Sequence, residues 1–367
     1  MICIPSWVSR ILDILSRVID CFAGRADVTS GLCSKFDELR MSSAPHPVFF
    51  DAETVRARLT WPVAYSAVRH AMIGLSSGEV RQLLRSFISV GEDKTFAIMP
   101  AALMGARVFG AKLVAVFGDG AGRRTHEGVV VLFEGEGGAP VCIADAGEVT
   151  AIRTAAASAV ATQALAAPDA DRLAVIGVGR QAAMHIEAIA AMRDLKHVAV
   201  WGRDPGRTDA FVQSMAIKTG LHIEAALSVE QAVREASIVC TVTGARDPIL
   251  KGAWIGAGVH VNVVGSSNPL SAEIDADLVA RSRFIVDHRE HVLAHGGEFL
   301  RAKAAGLIDD QHIAGEIGDV LAGRFVGREN SSQITIYKSL GHAAQDLAVV
   351  EWMRRQTDSV PSWSAEA

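Results

Sequence analysis

The distribution of apolar residues divides the chain at about residue 150. Before that point, four apolar segments of strand length are separated by polar, glycine-rich turns, which predicts consecutive antiparallel strands. These segments are KTFAIMPAAL, RVFGAKLVAVF, EGVVVLFEG and APVCIADAG, beginning at residues 94, 107, 127 and 139. The pattern also predicts a short strand, a helix capped by Asp51 and a helix over Val63–Leu75 ahead of them.

After Thr150 the pattern changes to helices that alternate with short apolar strands. The alanine-rich run TAIRTAAASAVATQALAA predicts a long helix that Thr150 caps. Six strands follow, RLAVIG, HVAVWG, LHIEAA, SIVCTV, GVHVNVVG and RFIVD, with helices such as Gln181–Met192, Gly206–Thr219 and Val229–Glu235 between most of them. This alternation predicts an open parallel sheet. The last segment, ITIYKSLGHAAQDLAVVEWM, is expected to return to the first domain.

We therefore predict an α/β protein that combines a doubly wound parallel sheet of the Rossmann type with an α+β domain whose sheet is mainly antiparallel. The α+β domain is expected to comprise residues 41–153 and 318–360, and the parallel-sheet domain residues 154–317. Residues 1–40 are expected to be a leader outside the fold, with Met41 as an alternative start. Charges interrupt the apolar run ILDILSRVID, which is therefore unlike a secretory signal, and a membrane-surface or partner helix is the alternative.

Composition narrows the possible partners. The 367 residues carry a net charge of -5, which argues against nucleic acid, since phosphate binding needs a dense basic face. The 5 cysteines form no CxxC pair, so neither a disulfide framework nor a metal site is expected, and a cytoplasmic location fits. No apolar run reaches the length of a membrane span.

A glycine-rich turn between a strand and a helix indicates dinucleotide binding. In LAVIGVGRQAAMH, Gly177 permits a tight turn, Gly179 lets a pyrophosphate approach the backbone, and Ala182 allows close helix packing. The motif gains weight because it lies within a run of alternating strands and helices. Two later strand ends should face the same crevice and line the nicotinamide. Their residues are Thr243, Val264, Gly265 and Ser266.

The tip of the second parallel strand bears on the choice of cofactor. It reads WGRDPGR, with Arg203 at the tip and Arg207 one helical turn later. A basic residue there accepts a 2′-phosphate, whereas an acid binds the ribose hydroxyls. NADPH is therefore expected over NADH. NADH stays an alternative, because the adjacent Asp204 could bind the ribose hydroxyls.

Three basic residues stand out as candidates for a substrate site. Arg153 lies near the predicted start of the Thr150 helix, where the helix dipole disfavours a cation, so a bound anion would explain it. Lys112 lies in the middle of an apolar strand, where it is either a charge on the strand face or a buried functional amine. Arg85, in RQLLRSFISV, is the third candidate.

Four segments together resemble the ornithine cyclodeaminase/mu-crystallin family: TAIRTAAASAVA, IGVGRQA, GVHVNVVGSSNP and ITIYKSLG. The resemblance extends from about Met41 to about Val350. It implies a Rossmann domain inserted in a substrate domain that forms a homodimer interface. It also implies an enzyme that reduces, oxidises or cyclises small α-amino or α-imino acids with NAD(P).

The resemblance also implies roles for individual residues. Arg85 and Arg153 match the carboxylate-binding arginines of the family, and Lys112 matches its active-site lysine. The other matched positions, near the cofactor, are Thr125 with His126, Arg153 again, Arg180, Gln181 and Ser339.

One position departs from the members that deaminate ornithine. They carry an aspartate in a GGDxP-type turn where this chain has Ser267, so the deaminating cycle lacks its proton acceptor. The sequence therefore favours an NAD(P)H-dependent ketimine reductase that converts Δ1-pyrroline-2-carboxylate to L-proline, or Δ1-piperideine-2-carboxylate to L-pipecolate. Ser267 would bind substrate without adding charge.

Three other functions stay open. They are an ornithine cyclodeaminase that forms proline and ammonia with NAD, an alanine dehydrogenase-like enzyme, and an NADPH-binding protein without catalysis.

Overall fold

Two β-sheets and the helices packed on them form the part of the chain that the computed structural model describes: residues 47–92, 94–118 and 124–357, without the side chains of residues 124–126 and 357. The architecture confirms the predicted α/β class, with one mainly antiparallel and one parallel sheet. The predicted leader, residues 1–40, lies outside the described residues.

The first sheet is the predicted antiparallel one. Within the described residues it has seven strands: β1 (Val48–Phe50), β2 (Val80–Gln82), β3 (Ser86–Gly91), β4 (Lys94–Leu103), β5 (Val108–Gly118), β6 (Arg124–Glu134) and β7 (Pro140–Asp145). Their order is β1-β7-β6-β5-β4-β2, β3 also pairs with β4, and only β1 and β7 are parallel.

The second sheet is parallel throughout and larger than predicted. Counting described residues alone, it has eight strands, not six: β8 (Arg172–Ile176), β9 (His197–Trp201), β10 (Ile223–Ala225), β11 (Ile238–Thr241), β12 (His260–Val263), β13 (Arg283–Val286), β14 (Ile313–Glu316) and β15 (Thr335–Lys338). The order is β10-β9-β8-β11-β12-β15-β13-β14, so β15 is inserted between two strands that precede it in the chain.

Helices fill the space between and around the sheets. The α-helices of the described chain are α1 (Ala52–Arg58), α2 (Trp61–Ser77), α3 (Ala146–Leu165), α4 (Arg180–Ala190), α5 (Pro205–Thr219), α6 (Val229–Val233), α7 (Ala276–Arg281), α8 (Arg289–His295), α9 (Gly297–Ala304), α10 (Ile317–Leu321) and α11 (Ala343–Thr357). As predicted, the Asp51 side chain caps α1 by accepting from the Thr54 N–H at 2.8 Å. Among the described residues, no helix has both the length and the apolar character that crossing a bilayer requires.

Helix α3 contacts both sheets. Its alanine-rich surface is buried on nearly all sides, as expected of a helix without a polar face. It contacts strands of the first sheet, such as β6, and β12 and β15 of the second. Side chains carried by α3 can therefore reach the space where the two sheets meet.

The prediction for the last segment was partly wrong. Helix α11 packs on β4, β5 and β6 of the first sheet, as expected. Strand β15, however, belongs to the parallel sheet, because its backbone pairs with β12 on one side and β13 on the other. The segment predicted to join the α+β domain is thus shared between the sheets, and the residue boundaries of the two domains stay predictions.

Candidate active site

Lys112 is a buried amine in the middle of the first sheet. Strand β5 places it opposite Met99 of β4 and Val130 of β6, and only 5% of the residue is exposed. Its Nζ donates to the Thr150 hydroxyl and lies 3.4 Å from Asp346 Oδ1. Burial lowers the pKa of Lys112 to about 8, against the opposing pull of Asp346. The amine can therefore exchange a proton near neutral pH.

Arg153 lies beside this lysine, but not at a helix start. Helix α3 begins at Ala146, because Asp145 accepts from the Glu148 N–H at 2.6 Å and caps it. The predicted cap at Thr150 is wrong: its hydroxyl donates to the Ala146 carbonyl within the helix. Arg153 is therefore in the helix interior. The helix dipole does not disfavour a cation there, so it gives no reason to expect a bound anion.

The partners of Arg153 give a better reason for its burial. Its Nε donates to Asp346 Oδ1 at 2.9 Å, and its Nη1 donates to Gln345 Oε1 at 2.9 Å. The residue is 5% exposed, and Asp346 is fully buried. Lys112 and Arg153 thus share one carboxylate oxygen, while the other oxygen, Oδ2, has no hydrogen-bond partner among the described residues.

Arg85 approaches the same cluster from the loop after β2. Its Nη2 donates to the carbonyls of Leu340 and Gly341, at 2.8 and 2.9 Å. Burial lowers the pKa of Arg85, as does the charge of Arg153, whereas Asp287 and Asp346 raise it. Its Nε is buried and has no partner in the described chain, so it is available to a ligand.

Gly341 lies between the two arginines. Its φ of +77° is in the left-handed region, and a Cβ added there would lie 2.6 Å from Arg153 Nη1. The three cations Arg85, Lys112 and Arg153 face two buried carboxylates, Asp346 for all three and Asp287 for Arg85, so this cluster has an excess of positive charge. A bound carboxylate would balance that charge and suits the bidentate geometry of guanidinium groups.

The glycine turn after β8 has the form that a dinucleotide needs. Gly177 has a φ of +129°, and a Cβ there would lie 2.8 Å from the Val242 carbonyl. At Gly179 a Cβ would meet nothing within 4 Å, and no side chain caps the N-terminus of α4. The open approach and the uncapped helix fit a pyrophosphate. Ala182 is fully buried, which agrees with the close packing expected of it.

Two predicted phosphate-turn residues have different surroundings. Arg180 forms an ion pair with the buried Glu148, which also binds Arg56 Nη2 at 2.7 Å. This group lines a cavity of 460 Å³ beside the turn. Gln181 Oε1 is buried without a partner among the described residues. Arg180 is thus paired with Glu148, whereas Gln181 Oε1 accepts no hydrogen bond from the described residues.

The tip of β9 separates the two residues that bear on cofactor choice. Arg203 is exposed just after the strand. The neighbouring Asp204 caps α5, because its Oδ1 accepts from the Arg207 N–H at 3.0 Å. The Asp204 carboxylate thus accepts a hydrogen bond from the start of the helix, whereas Arg203 is exposed to solvent.

A buried carboxylate that the sequence did not reveal joins the ends of β11 and β12. Glu273 accepts from the Thr241 hydroxyl, the Thr243 hydroxyl and N–H, and the Gly265 N–H, at 2.6 to 2.8 Å. Glu273 therefore holds Thr243 and Gly265 side by side, together with the adjacent Val264, at the strand ends where the nicotinamide crevice is predicted.

The two serines after β12 differ in their environment. Ser266 is buried, its hydroxyl donates to the Ser271 carbonyl at 2.6 Å, and its own carbonyl accepts from Lys338 Nζ at 2.7 Å. Its side chain is therefore committed to the turn. Ser267 is half-buried, which leaves it the better candidate for contact with a ligand.

Ser339 connects the crevice to the cation cluster. Its N–H donates to the Val263 carbonyl at 3.0 Å, and its hydroxyl is buried next to Tyr337. The two residues that follow it bind Arg85. Of the predicted site residues, Thr125 and His126 lie in β6 with side chains outside the described part.

The sequence reasoning missed Asp346 as well as Glu273. Asp346 directly precedes the apolar residues LAVV in the run HAAQDLAVV, and an acid next to such a run signals a buried partner. Glu273, in SAEID, carries no comparable signal, since only the fold brings it under two strand ends.

Comparison with known proteins identifies a matching family profile and several similar proteins. The profile of the "Ornithine cyclodeaminase/mu-crystallin family" matches residues 46–360. A Δ1-pyrroline-2-carboxylate reductase of Bacillus cereus is 35% identical over 265 residues, which cover 71% of this chain and 81% of the relative. The ketimine reductase mu-crystallin of Mus musculus is 31% identical over 313 residues, or 83% of this chain and 96% of that protein.

A solved structure shares the whole fold. It is the Δ1-pyrroline-2-carboxylate reductase of Thermococcus litoralis in complex with NADH and L-proline, with a TM-score of 0.80 and 28% identity. The match covers 86% of this chain and 99% of that chain.

Proposed function

Given that this chain belongs to the ornithine cyclodeaminase/mu-crystallin family, we propose that it reduces a small cyclic imino acid with a nicotinamide cofactor. The favoured reaction converts Δ1-pyrroline-2-carboxylate to L-proline, and Δ1-piperideine-2-carboxylate to L-pipecolate is the next candidate. The observation that carries the proposal is the cluster of Arg85, Lys112 and Arg153 around Asp346, next to a dinucleotide crevice. Similarity to the B. cereus and T. litoralis reductases supports it.

The cation cluster would bind the substrate carboxylate and supply a proton. Arg85 and Arg153 would bind the carboxylate and fix the orientation of the ring. Lys112, with its lowered pKa, would donate a proton to the imine nitrogen as C2 gains a hydride. Ser267 would hydrogen-bond to the substrate. The reaction adds one hydride and one proton across the C=N bond, and no ammonia leaves.

The residues for the cofactor are those of the crevice. Gly177, Gly179 and Gln181 would bind the pyrophosphate, and Thr243, Val264, Gly265 and Ser339 would line the nicotinamide. When bound, the cofactor supplies the hydride. We propose NADPH over NADH, because Asp204 is used as a helix cap and Arg203 is free to meet a 2′-phosphate.

The decisive assay is cofactor oxidation with the five- and six-membered cyclic imino acids, run beside L-ornithine with NAD. We expect oxidation of NADPH with at least one cyclic imine, and no ammonia from ornithine. Ammonia release from ornithine would establish the cyclodeaminase. Keto-acid and ammonium dependence would indicate an alanine dehydrogenase-like enzyme, and cofactor binding without any turnover would indicate a binding protein.

The cofactor preference has its own test. Arg203→Ala should raise KM for NADPH at least tenfold and leave KM for NADH nearly unchanged, because only NADPH carries the 2′-phosphate. A wild-type enzyme that prefers NADH, or an Arg203→Ala variant with unchanged KM for NADPH, would contradict this assignment.

We also propose a homodimer. The family resemblance implies one, and β3 supports it by exposing apolar side chains on the surface of the first sheet.

A further inference from the structure

The positions of Arg85 and Arg153, the two arginines of the cation cluster, depend on one short turn, Leu340–Gly341. Its two carbonyls accept from Arg85 Nη2 at 2.8 and 2.9 Å. Its glycine lies against Arg153 so closely that a Cβ would come within 2.6 Å of Nη1. A shift of this turn would therefore move the hydrogen-bond acceptors of one arginine and the contact surface of the other.

A buried carboxylate holds that turn in place. Asp287, directly after β13, accepts through Oδ2 from the N–H groups of Leu340 and Gly341, at 2.5 and 2.9 Å. His342 Nε2 lies 3.1 Å from the same oxygen, and both side chains are fully buried. The Asp287 N–H in turn donates to the Lys338 carbonyl at 3.1 Å. The carboxylate thus ties the end of β13 to the segment that follows β15.

Asp287 also remains charged in this position. Burial alone would raise the pKa of Asp287, but His342 and the two backbone N–H groups hold that pKa well below its usual range. The resulting anion stabilises the charge of Arg85 through space. Asp287 therefore acts on Arg85 both through the turn and through its own charge.

We propose that Asp287 is a positioning residue for the substrate carboxylate, acting through Leu340–Gly341 on Arg85 and Arg153. The proposal rests on the function proposed above, in which these arginines bind that carboxylate. Asp287 contacts the turn and His342, and it has no assigned role at C2 or the imine nitrogen of the substrate. Its loss should therefore raise the Kd of the carboxylate more than it lowers kcat.

The test uses Asp287→Asn, which keeps the shape but removes the charge and replaces one accepting oxygen by an NH2 group. Oδ2 accepts from the turn and Oδ1 from the His288 N–H, so the amide cannot satisfy both sides. We expect the Kd of pyrrole-2-carboxylate, a flat ring with the same carboxylate, to rise at least tenfold. KM for the cyclic imino acid should rise in parallel, while the Kd of NADPH and kcat change less than threefold. In an Arg85→Ala background, Asp287→Asn should add less than a threefold further rise.

Asp275→Asn is the matched control. Asp275 also accepts from two backbone N–H groups, of Gly252 and Leu278, but it does not contact the turn. This variant should lower Tm and leave the Kd of pyrrole-2-carboxylate unchanged. If Asp287→Asn does not fold, His342→Gln removes the imidazole next to the carboxylate, together with its contact to Gln82, and should raise the same Kd at least threefold.

The outcomes separate this proposal from the proposed function. An unchanged Kd in Asp287→Asn, or an equal rise with and without Arg85, overturns the positioning role even if the enzyme reduces cyclic imines. Wild-type protein that binds pyrrole-2-carboxylate in a manner dependent on Asp287, yet reduces no imine, supports the positioning role and removes the proposed reaction.

A separate observation, at the other end of the parallel sheet, concerns His197, His222 and Glu224. His197 begins β9, Glu224 lies in β10, and His222 precedes β10, with its carbonyl accepting from the Val198 N–H at 3.0 Å. The Nε2 atoms of the two histidines each lie 3.2 Å from an oxygen of Glu224, and the potential ligand atoms all lie within 4.8 Å of one another. For metal–ligand bonds of about 2.0 to 2.1 Å, a tetrahedral site has ligand atoms about 3.3 Å apart.

We infer that these three side chains form a binding site for a divalent transition metal such as Zn²⁺, which prefers two imidazoles and a carboxylate over water. No Cys or spacing signal marks the site in sequence, since strand pairing brings residues 197 and 222 together. Two of the three side chains are exposed, so the metal would keep an open position toward solvent.

Isothermal titration of the full chain, stripped of metal with a chelator, tests the site. We expect one equivalent of Zn²⁺ that His222→Ala or Glu224→Gln weakens at least tenfold, while His70→Ala, in α2, leaves it unchanged. Absence of Zn²⁺ binding to the wild type, or equal binding by His222→Ala, overturns the assignment.

Discussion

At the scale of single residues, Lys112 makes the sharpest prediction. Lys112→Met keeps an unbranched side chain of similar volume but removes the proton donor, so kcat should fall by about 100-fold or more. The fold should survive, because Arg153 still neutralises Asp346 and a buried ammonium is itself costly. Steady-state kinetics and thermal unfolding measure both effects.

Lys94→Met is a suitable control for that variant. Lys94 lies in the adjacent strand β4, with its Nζ over the ring of Phe117, and is exposed. Its replacement should leave kcat unchanged. A Lys112→Met enzyme with wild-type turnover would remove the lysine from the mechanism.

The same residue predicts a pH dependence. Because burial lowers the pKa of Lys112 to about 8, the protonated donor is the main form at pH 7 and is lost as pH rises through that value. We expect kcat for imine reduction to fall above about pH 8, rather than near the pKa of a solvated lysine. A kcat that stays flat up to pH 9.5 would be inconsistent with a proton donated by Lys112.

At the scale of elements, the contact between β11 and β12 depends on Glu273. Glu273→Ala would leave the Thr243 N–H without an acceptor and would leave the Gly265 N–H only its longer bond of 3.2 Å to the Thr241 carbonyl, at a cost of about 3 kcal/mol in the free energy of unfolding. Because these strand ends line the proposed nicotinamide pocket, cofactor affinity should fall as well. Chemical denaturation and cofactor titration measure the two effects.

An exposed acid provides the comparison for Glu273. Glu235 pairs with Arg172 at the surface, and Glu235→Ala should change the free energy of unfolding by less than about 0.5 kcal/mol. If the two variants were equally stable, Glu273 would not be what joins the strand ends.

The elements also show how far the sequence could be read. Short-range signals predicted the Asp51 cap, the four long antiparallel strands and the glycine turn, because each depends on neighbouring residues. The start of α3 was misplaced because two capping residues, Asp145 and Thr150, stand close together, and tertiary packing decides between them. The resemblance drew attention to Arg85, Lys112 and Arg153, whereas Asp346 and Asp287 join them from distant segments that only the fold brings near.

At the scale of the whole molecule, the surface of the first sheet predicts association. Within the described residues, strand β3 pairs with β4 alone, and it exposes Phe87, Ile88 and Val90, each more than half accessible. An apolar strand of this kind usually contacts another chain. We expect a dimer by light scattering coupled to size exclusion, and dissociation of that dimer in Ile88→Asp.

Ile217→Asp is the control for association. Ile217 is 87% exposed, but it stands on α5, away from the first sheet. This variant should remain dimeric. A monomeric wild type, or dissociation of both variants, would contradict an interface at β3.

The place of β15 has a consequence for the synthesis of the protein. The strand fills the gap between β12 and β13, yet the ribosome completes it only after all the other strands of that sheet. Until residue 338 has emerged, the nascent chain carries two unpaired hydrophobic strand edges. A chain that ends before this point should therefore be an aggregation-prone fragment rather than a smaller enzyme. The nascent chain should bind chaperones most strongly late in translation.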